Sequence, residues 1–183
     1  FCAGADLKKM KKITESGKEA KNQAYDFSMT IGKLLKVINQ APQIVVSVTE
    51  GFALAGGFGI ACASDFVISL ENTKFGLTET KIGLTPSQIS KYVINKLGYS
   101  KARKMMLLGT IIDGLEASKI GLVDFVANNN EALEKKINDF KSDVINCSPA
   151  AIATTKKILS LNQNIDSRRA ADLFSDSIIS NDG

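Results

Sequence analysis

The feature that most constrains the fold is a strand-forming run followed at once by a glycine-rich turn and a short apolar helix. The β-branched residues at 44–49 predict a buried strand. Residues 51–59 then contain glycines at positions 51, 56, 57 and 59. Because glycine has no Cβ, these positions let a helix approach a sheet closely. The apolar run at 60–63 predicts such a tightly packed helix.

The rest of the chain alternates strand and helix patterns in its first two thirds and is helical in its last third. Further strands are predicted at 66–70, 74–77 and 122–126. A long helix is predicted at 16–39 from an apolar stripe at three- and four-residue steps, formed by Ala20, Ala24, Phe27, Ile31, Leu34 and Ile38. Shorter helices are predicted at 87–97 (capped by Ser87), 100–108, 113–120, 133–144, 149–161 and 170–178. This order of elements predicts an α/β fold.

The composition excludes several kinds of catalytic and metal-binding site. The 183 residues include no histidine, which excludes Ser-His-Asp and Cys-His catalysis and every metal site that contains histidine. The three cysteines, Cys2, Cys62 and Cys147, are widely spaced, which favours free thiols in a reducing compartment and no metal site. The net charge of +4 is diffuse, so binding to nucleic acid is not favoured. The one dense run of lysines, at positions 8, 9, 11 and 12, is interpreted as a solvated helix face.

Two glycine-containing turns and one glutamate are candidates for a functional site. The turns, at 3–6 and 55–57, leave backbone N–H groups open to a ligand and are suited to holding an oxyanion. Close packing of a helix on a sheet explains the same glycines equally well at this point. Glu79 lies between apolar segments, where burial would raise its pKa and suit it to acid/base catalysis. A surface glutamate on a connecting loop is the alternative. No phosphate-binding P-loop motif is present.

These segments, in this order, resemble the crotonase (enoyl-CoA hydratase/isomerase) family. The matching stretches are FCAGADL at 1–7, GFALAGG at 51–57, ASD at 63–65, FGLTE at 75–79, IGLTP at 82–86 and ASKIGLV at 117–123. The resemblance covers nearly the whole chain. Hydratases of the methylglutaconyl-CoA and isohexenylglutaconyl-CoA type also resemble this chain in the segment PSQIS at 86–90.

The resemblance implies a crotonase (ClpP-like) spiral of ββα units followed by a helical region that packs subunits together. We expect residues 1–127 to form the spiral core, with N-terminal strands missing, and residues 128–183 to form a truncated helical region. The chain is thus expected to be part of a longer protein. The implied substrate is an acyl-CoA thioester, the implied assembly is a homotrimer or hexamer, and no metal, other cofactor or membrane is implied. A cytoplasmic location is expected, or a mitochondrial one in a eukaryote.

The resemblance also assigns site residues by position. The backbone N–H groups of Ala5 and Gly56 correspond to the oxyanion hole, and Glu79 corresponds to one of two catalytic glutamates. The position of the other glutamate is Gly59, so this chain departs from the two-glutamate pattern. Residues expected more weakly to contact substrate are Ala3, Asp6, Leu7, Lys8, Met10 and Pro86.

Three functions follow from this pattern. The first is hydration of an α,β-unsaturated acyl-CoA to a 3-hydroxyacyl-CoA, in the breakdown of fatty acids or branched acyl chains. The second is Δ3–Δ2 enoyl-CoA isomerisation, in which Glu79 acts as the single base. The third is a non-catalytic or RNA-associated role that uses the basic surface.

Overall fold

The computed structural model describes residues 1–161 and 165–179 and contains two small, mainly parallel sheets. The described residues form six strands: β1 (Val46–Thr49), β2 (Phe52–Leu54), β3 (Phe66–Leu70), β4 (Lys74–Gly76), β5 (Ile111–Ile112) and β6 (Phe125–Ala127). One sheet has the order β1-β3-β6 and the other has the order β2-β4-β5. Only β4 and β5 pair antiparallel among these strands.

Helices connect and cover the sheets. The described residues form nine α-helices: α1 (Leu7–Glu15), α2 (Ala20–Gln40), α3 (Gly56–Ala63), α4 (Ser90–Leu97), α5 (Tyr99–Leu108), α6 (Gly114–Lys119), α7 (Asn130–Ile145), α8 (Pro149–Ser160) and α9 (Ser167–Ile178). The chain runs from β1 in one sheet to β2 in the other, then through α3, and repeats this path with β3, β4 and α4. The predicted α/β spiral of ββα units is therefore confirmed.

Helix α3 lies at the centre of the main core, as its composition predicts. Six of its eight residues are buried, because the helix is apolar on all sides and is packed between neighbouring elements. The largest fully buried side chains of this core include Phe58 of α3 itself and Phe75, Leu35 and Leu77 around it. A smaller cluster of Ile68, Ala127 and Leu133 joins α7 to the other sheet.

The predicted face of α2 is wrong at two positions. Ala24, which the predicted stripe included, is exposed. Leu35 is 1% exposed, whereas Leu34, which the predicted stripe included, is 49% exposed. The buried face therefore contains Leu35 together with the half-buried residues Phe27, Ile31 and Ile38. Both spacings fit a helix of 3.6 residues per turn, so only the packing of α2 on α3 decides between neighbouring leucines.

Several predicted boundaries are also wrong. The long helix predicted at 16–39 begins at Ala20, after a 3₁₀ turn at Gly17–Glu19. Ser87 does not cap α4, which begins at Ser90 after Ile89, and the Ser87 carbonyl instead accepts a hydrogen bond from the Ser90 hydroxyl at 2.8 Å. The predicted strand at 122–126 begins only at Phe125, because Leu122 and Val123 close the turn after α6 with their amides bonded to the carbonyl of Ala117. By contrast, the predicted start of α8 is confirmed, with Ser148 as cap and Pro149 in the first turn.

The described residues beyond β6 are helical, but α8 and α9 contain no buried residue. Helix α8 is held to the core by one ion pair. Nζ of Lys156 donates to Oδ2 of Asp65 at 2.5 Å and to the carbonyl oxygen of Gln43 at 2.7 Å. The same Asp65 oxygen accepts from the Val45 amide at 2.7 Å, which joins the end of α3 to the start of β1.

Candidate active site

Three separate chain segments leave the same edge of the sheet that contains β2. Cys2 forms a parallel bridge with Ala53, and Ala53 is paired in parallel with Phe75 of β4. Cys2 also donates its amide to the Phe52 carbonyl at 2.8 Å and accepts from the Leu54 amide at 2.9 Å. The carboxyl ends of parallel strands meet at one edge, where ligands bind in open α/β sheets. The turns at 3–6 and 55–57 and the segment 77–79 therefore share this edge.

The first turn touches the second. Gly4 has φ +105°, a backbone conformation that residues other than glycine rarely adopt. A Cβ added to Gly4 would lie 3.2 Å from the Cβ of Ala55. Asp6 then caps α1 by accepting the Lys8 amide at 2.8 Å. Ala5, between Gly4 and the cap, is exposed. The turn thus presents an exposed backbone beside Ala55.

The second turn is strained and open. Ala55 has φ +48° and ψ −115°, and among the described residues it is the only non-glycine with positive φ. Strain of this kind costs about 1–3 kcal/mol and is concentrated at functional sites. The Ala55 amide is fixed by the Gly76 carbonyl at 2.9 Å. Gly56 begins α3, so its amide has no intrahelical partner, and a Cβ added to Gly56 would meet no atom within 4 Å.

The other two glycines of this helix have a packing function. A Cβ added to Gly57 would lie 2.5 Å from the carbonyl oxygen of Cys2, so only glycine permits α3 to lie against the strand-like segment at Cys2. A Cβ added to Gly59 would lie 2.9 Å from Cγ1 and 3.0 Å from Cγ2 of Ile89. Close packing therefore explains Gly57 and Gly59, whereas it does not explain Gly56.

Glu79 is buried at the same edge. It begins a 3₁₀ turn, Glu79–Ile82, three residues after β4 ends, and its side chain is 8% exposed. Burial raises the pKa of Glu79 above its ordinary value of 4.5, and a hydrogen bond with its own backbone opposes this shift. Oε2 of Glu79 is buried and has no hydrogen-bond partner among the described residues. The alternative of a surface glutamate is therefore wrong.

The more weakly expected contact residues lie around α1 and before α4. Ala3, Asp6, Leu7 and Lys8 are exposed, and Met10 is half-buried. Pro86 is half-buried, and its carbonyl accepts the Ser90 amide at 3.0 Å. The lysines at 8, 9, 11 and 12 are all exposed, which confirms the solvated helix face. Ile89 lies in the PSQIS segment, but its contact with Gly59 has no local sequence signal, because the two residues are distant in the chain.

No group of three or more Cys, Asp or Glu side chains among residues 1–161 and 165–179 is arranged to hold a metal ion. Within the same ranges, no helix combines the length and hydropathy that a membrane span requires. All three cysteines are free, as predicted.

A cavity of about 180 Å³ lies between the end of α2 and α8 and is lined by residues that include Asn39, Pro42 and Lys156. It shares no residue with the sheet edge that carries the two turns and Glu79.

Comparisons with known proteins show the family and the fold of this chain. A family model described as enoyl-CoA hydratase/isomerase matches residues 1–178. The solved structure of Pseudomonas aeruginosa AtuE is similar over 100% of this chain and 71% of its own, with 34% identity and a TM-score of 0.92. An enoyl-CoA isomerase/hydratase of Mycosarcoma maydis is 29% identical over 178 residues, 94% of this chain and 61% of its own.

Human mitochondrial methylglutaconyl-CoA hydratase is also similar, at 29% identity over 170 residues. That match covers 91% of this chain and 48% of the human protein. The chain therefore spans between about half and three fifths of the length of these curated relatives.

Proposed function

The chain belongs to the enoyl-CoA hydratase/isomerase family, and on that premise we propose that the full-length protein adds water to an α,β-unsaturated acyl-CoA. The observation that carries the proposal is the buried carboxyl of Glu79, with its unpartnered oxygen, at the sheet edge where the turns at Gly4 and Ala55 touch. A buried carboxyl without a partner is unfavourable for folding alone. Its retention at this edge is explained by a proton-transfer role.

The thioester oxygen would accept hydrogen bonds from the backbone N–H groups of Ala5 and Gly56. Attack at the β-carbon moves the π electrons toward the carbonyl, so negative charge develops on this oxygen. Donors fixed beforehand stabilise that charge, and each is worth roughly 3 kcal/mol of barrier. Gly56 supports this role by its position at the start of α3, where an unpaired N–H and the helix dipole both favour an anion.

Glu79 would move the proton in both halves of the reaction. As its carboxylate takes a proton from water, the hydroxide bonds to the β-carbon and the C=C π bond becomes an enolate. Glu79 then returns that proton to the α-carbon, the enolate collapses to the thioester, and the carboxylate is regenerated. The cycle balances with one carboxylate, so Gly59 in place of a second glutamate is compatible with it. A raised pKa suits a group that must act in turn as base and acid.

The test is turnover of a 2-enoyl-CoA in ¹⁸O-labelled water by the full-length protein. We expect the label on a 3-hydroxyacyl-CoA, and Glu79→Gln should lower kcat by about 10²–10⁴. The exposed Glu50 provides the matched control, Glu50→Gln, which should retain wild-type turnover. Full turnover by Glu79→Gln would remove the mechanism. Crotonyl-CoA and 3-methylglutaconyl-CoA form the first substrate panel, since a relative is named for the second.

Isomerisation of a 3-enoyl-CoA to a 2-enoyl-CoA is the second candidate, favoured by the presence of one carboxyl at the site. Glu79 would take a proton from the α-carbon and return it to the γ-carbon while the same two amides hold the enolate. This reaction incorporates no oxygen from water. An unlabelled 2-enoyl product from a 3-enoyl-CoA, together with no labelled 3-hydroxy product, would therefore support the isomerase and exclude the hydratase.

Other parts of the proposal concern binding and assembly. Lys8 and Lys9 are exposed on α1, next to the first turn, and are available to the phosphates of coenzyme A. We propose a homotrimer or hexamer built in part by α8 and α9, whose exposed apolar residues include Leu159, Phe174 and Ile178. The proposed hydration cycle uses no cofactor. A cytoplasmic or mitochondrial location and the division at residue 127 stay predictions.

A further inference from the structure

The segment between Glu79 and α4 packs against two helices through two neighbouring side chains, Gln88 and Ile89. The Gln88 side chain lies on Gly32 of α2, where an added Cβ would come within 2.8 Å of its Cδ, and its Nε2 donates to the Ser28 hydroxyl at 3.2 Å. The next residue, Ile89, projects onto Gly59 of α3. The two contacts are made with different helices, so the segment is packed against both α2 and α3.

The contact between Ile89 and Gly59 leaves no room for any other side chain at 59. Three Ile89 atoms, Cγ1, Cγ2 and Cδ1, would lie 2.9, 3.0 and 3.3 Å from an added Cβ. Ile89 is 5% exposed and belongs to the main core. Its β-branched side chain has few rotamers with which to move aside. A side chain at position 59 and the side chain of Ile89 would therefore occupy the same space.

That volume lies on the helix face that carries the candidate oxyanion donor. Gly56 and Gly59 are three residues apart in α3, and residues at this spacing lie on one face of a helix. A side chain at 59 would therefore project one turn away from the open space at Gly56. Ile89 covers this position with hydrocarbon.

We propose that Ile89 is a positioning residue that excludes a second ionisable group from this face of α3, so that Glu79 performs all proton transfers in the site. The inference rests on the proposed function for its catalytic meaning, while its structural half concerns packing alone. The packing of the core therefore leaves no space for a second carboxyl on this face of α3. A substitution at position 59 alone cannot introduce one.

The packing half is tested by a double-mutant cycle in thermal unfolding of the full-length protein. Gly59→Ala in the wild type should lower the unfolding midpoint by about 3–10 °C, because it overpacks the core. Ile89→Ala removes all three clashing atoms. In that background Gly59→Ala should raise the midpoint, because alanine fills the cavity and favours the helix. The sign of the effect is therefore expected to reverse.

Leu97→Ala is the matched control for the background. Leu97 is 6% exposed and lies at the other end of α4 from Ile89, about 12 Å along the helix. Gly59→Ala should lower the midpoint by the same amount in the Leu97→Ala protein as in the wild type. Reversal in this control too, or no reversal with Ile89→Ala, would overturn the proposal.

The catalytic half is read from the pH dependence of kcat/KM. Wild type should show one ionisation on the acidic side, from Glu79. The Gly59→Glu/Ile89→Ala double variant should show a second ionisation, which a merely structural role of Ile89 would not produce. A double variant that regains stability but keeps the wild-type profile would overturn this half. Retained turnover by Glu79→Gln would instead overturn the proposed function and leave the packing result standing.

Discussion

Gly4 and Ala55 lie against each other, so closely that a Cβ added to Gly4 would be 3.2 Å from the Cβ of Ala55. The two residues are far apart in the chain and belong to separate turns. Both have positive φ, +105° for Gly4 and +48° for Ala55. Their contact brings the exposed backbone at Ala5 beside the open start of α3 at Gly56.

Gly4→Ala should lower both activity and stability. The added methyl group would press on Ala55 and shift the two candidate donors relative to each other, so we expect kcat/KM to fall about 10- to 100-fold. The backbone strain should cost about 1–3 kcal/mol in urea unfolding. Gly51→Ala is the matched control, since Gly51 also has positive φ, +66°, but an added Cβ there meets no atom within 4 Å. A Gly51→Ala protein with an equal loss of kcat/KM would contradict the assignment.

Ala55→Gly should stabilise the fold while weakening the site. Glycine adopts positive φ without the Cβ penalty, so relief of strain should exceed the added entropy of the unfolded chain by up to about 1 kcal/mol. The same freedom loosens the Gly56 amide, and we expect kcat to fall with KM little changed. Urea unfolding and steady-state kinetics provide the two readings. A lower unfolding free energy for Ala55→Gly would show that Ala55 is not strained.

Stability should depend on pH through Glu79 in a defined direction. The folded protein holds the Glu79 proton more tightly than the unfolded chain, because burial raises the pKa above 4.5. Its contribution to stability is therefore fully present below pH 4.5 and is lost as pH rises through the raised pKa. Glu79→Gln stays neutral and escapes this loss.

The measurement is the unfolding midpoint of wild type and Glu79→Gln across the acidic to neutral range. The difference, variant minus wild type, should grow as pH rises above 4.5. A difference that is constant with pH would show that the carboxyl titrates alike in both states. Activity should follow the opposite trend in the wild type, since kcat/KM needs the carboxylate and falls as Glu79 is protonated.

Asp65→Asn should destabilise the junction of α3, β1 and α8. The substitution leaves Lys156 without its carboxylate in a place where that lysine side chain is 11% exposed, and we expect a cost of about 1–3 kcal/mol. Lys135→Ala is the control, because it breaks an exposed pair with Asp139 on α7. Its unfolding free energy should be close to that of the wild type. Equal effects of the two substitutions would show that the Asp65 contact is not a structural anchor.

Several features could be predicted because they depend on neighbouring residues only. The β-branched run before the glycines contains β1, the predicted apolar segment at 60–63 forms the second half of α3, and Ser148 with Pro149 starts α8. Cap chemistry, β-branching and periodicity act within a few residues of the chain. Predictions failed where local patterns were degenerate, as with Leu34 and Leu35 on α2.

The sequence by itself determined the alternation of strands and helices, the absence of histidine chemistry and the three segments from which the site is built, but it did not predict the short strands β2 and β5. Only the tertiary structure decided that Cys2 pairs beside Ala53, that Glu79 is buried, and that Ile89 fills the space at Gly59. The reason is physical. Burial and steric exclusion depend on which distant atoms share a volume, and no pattern within a short stretch of chain contains that information.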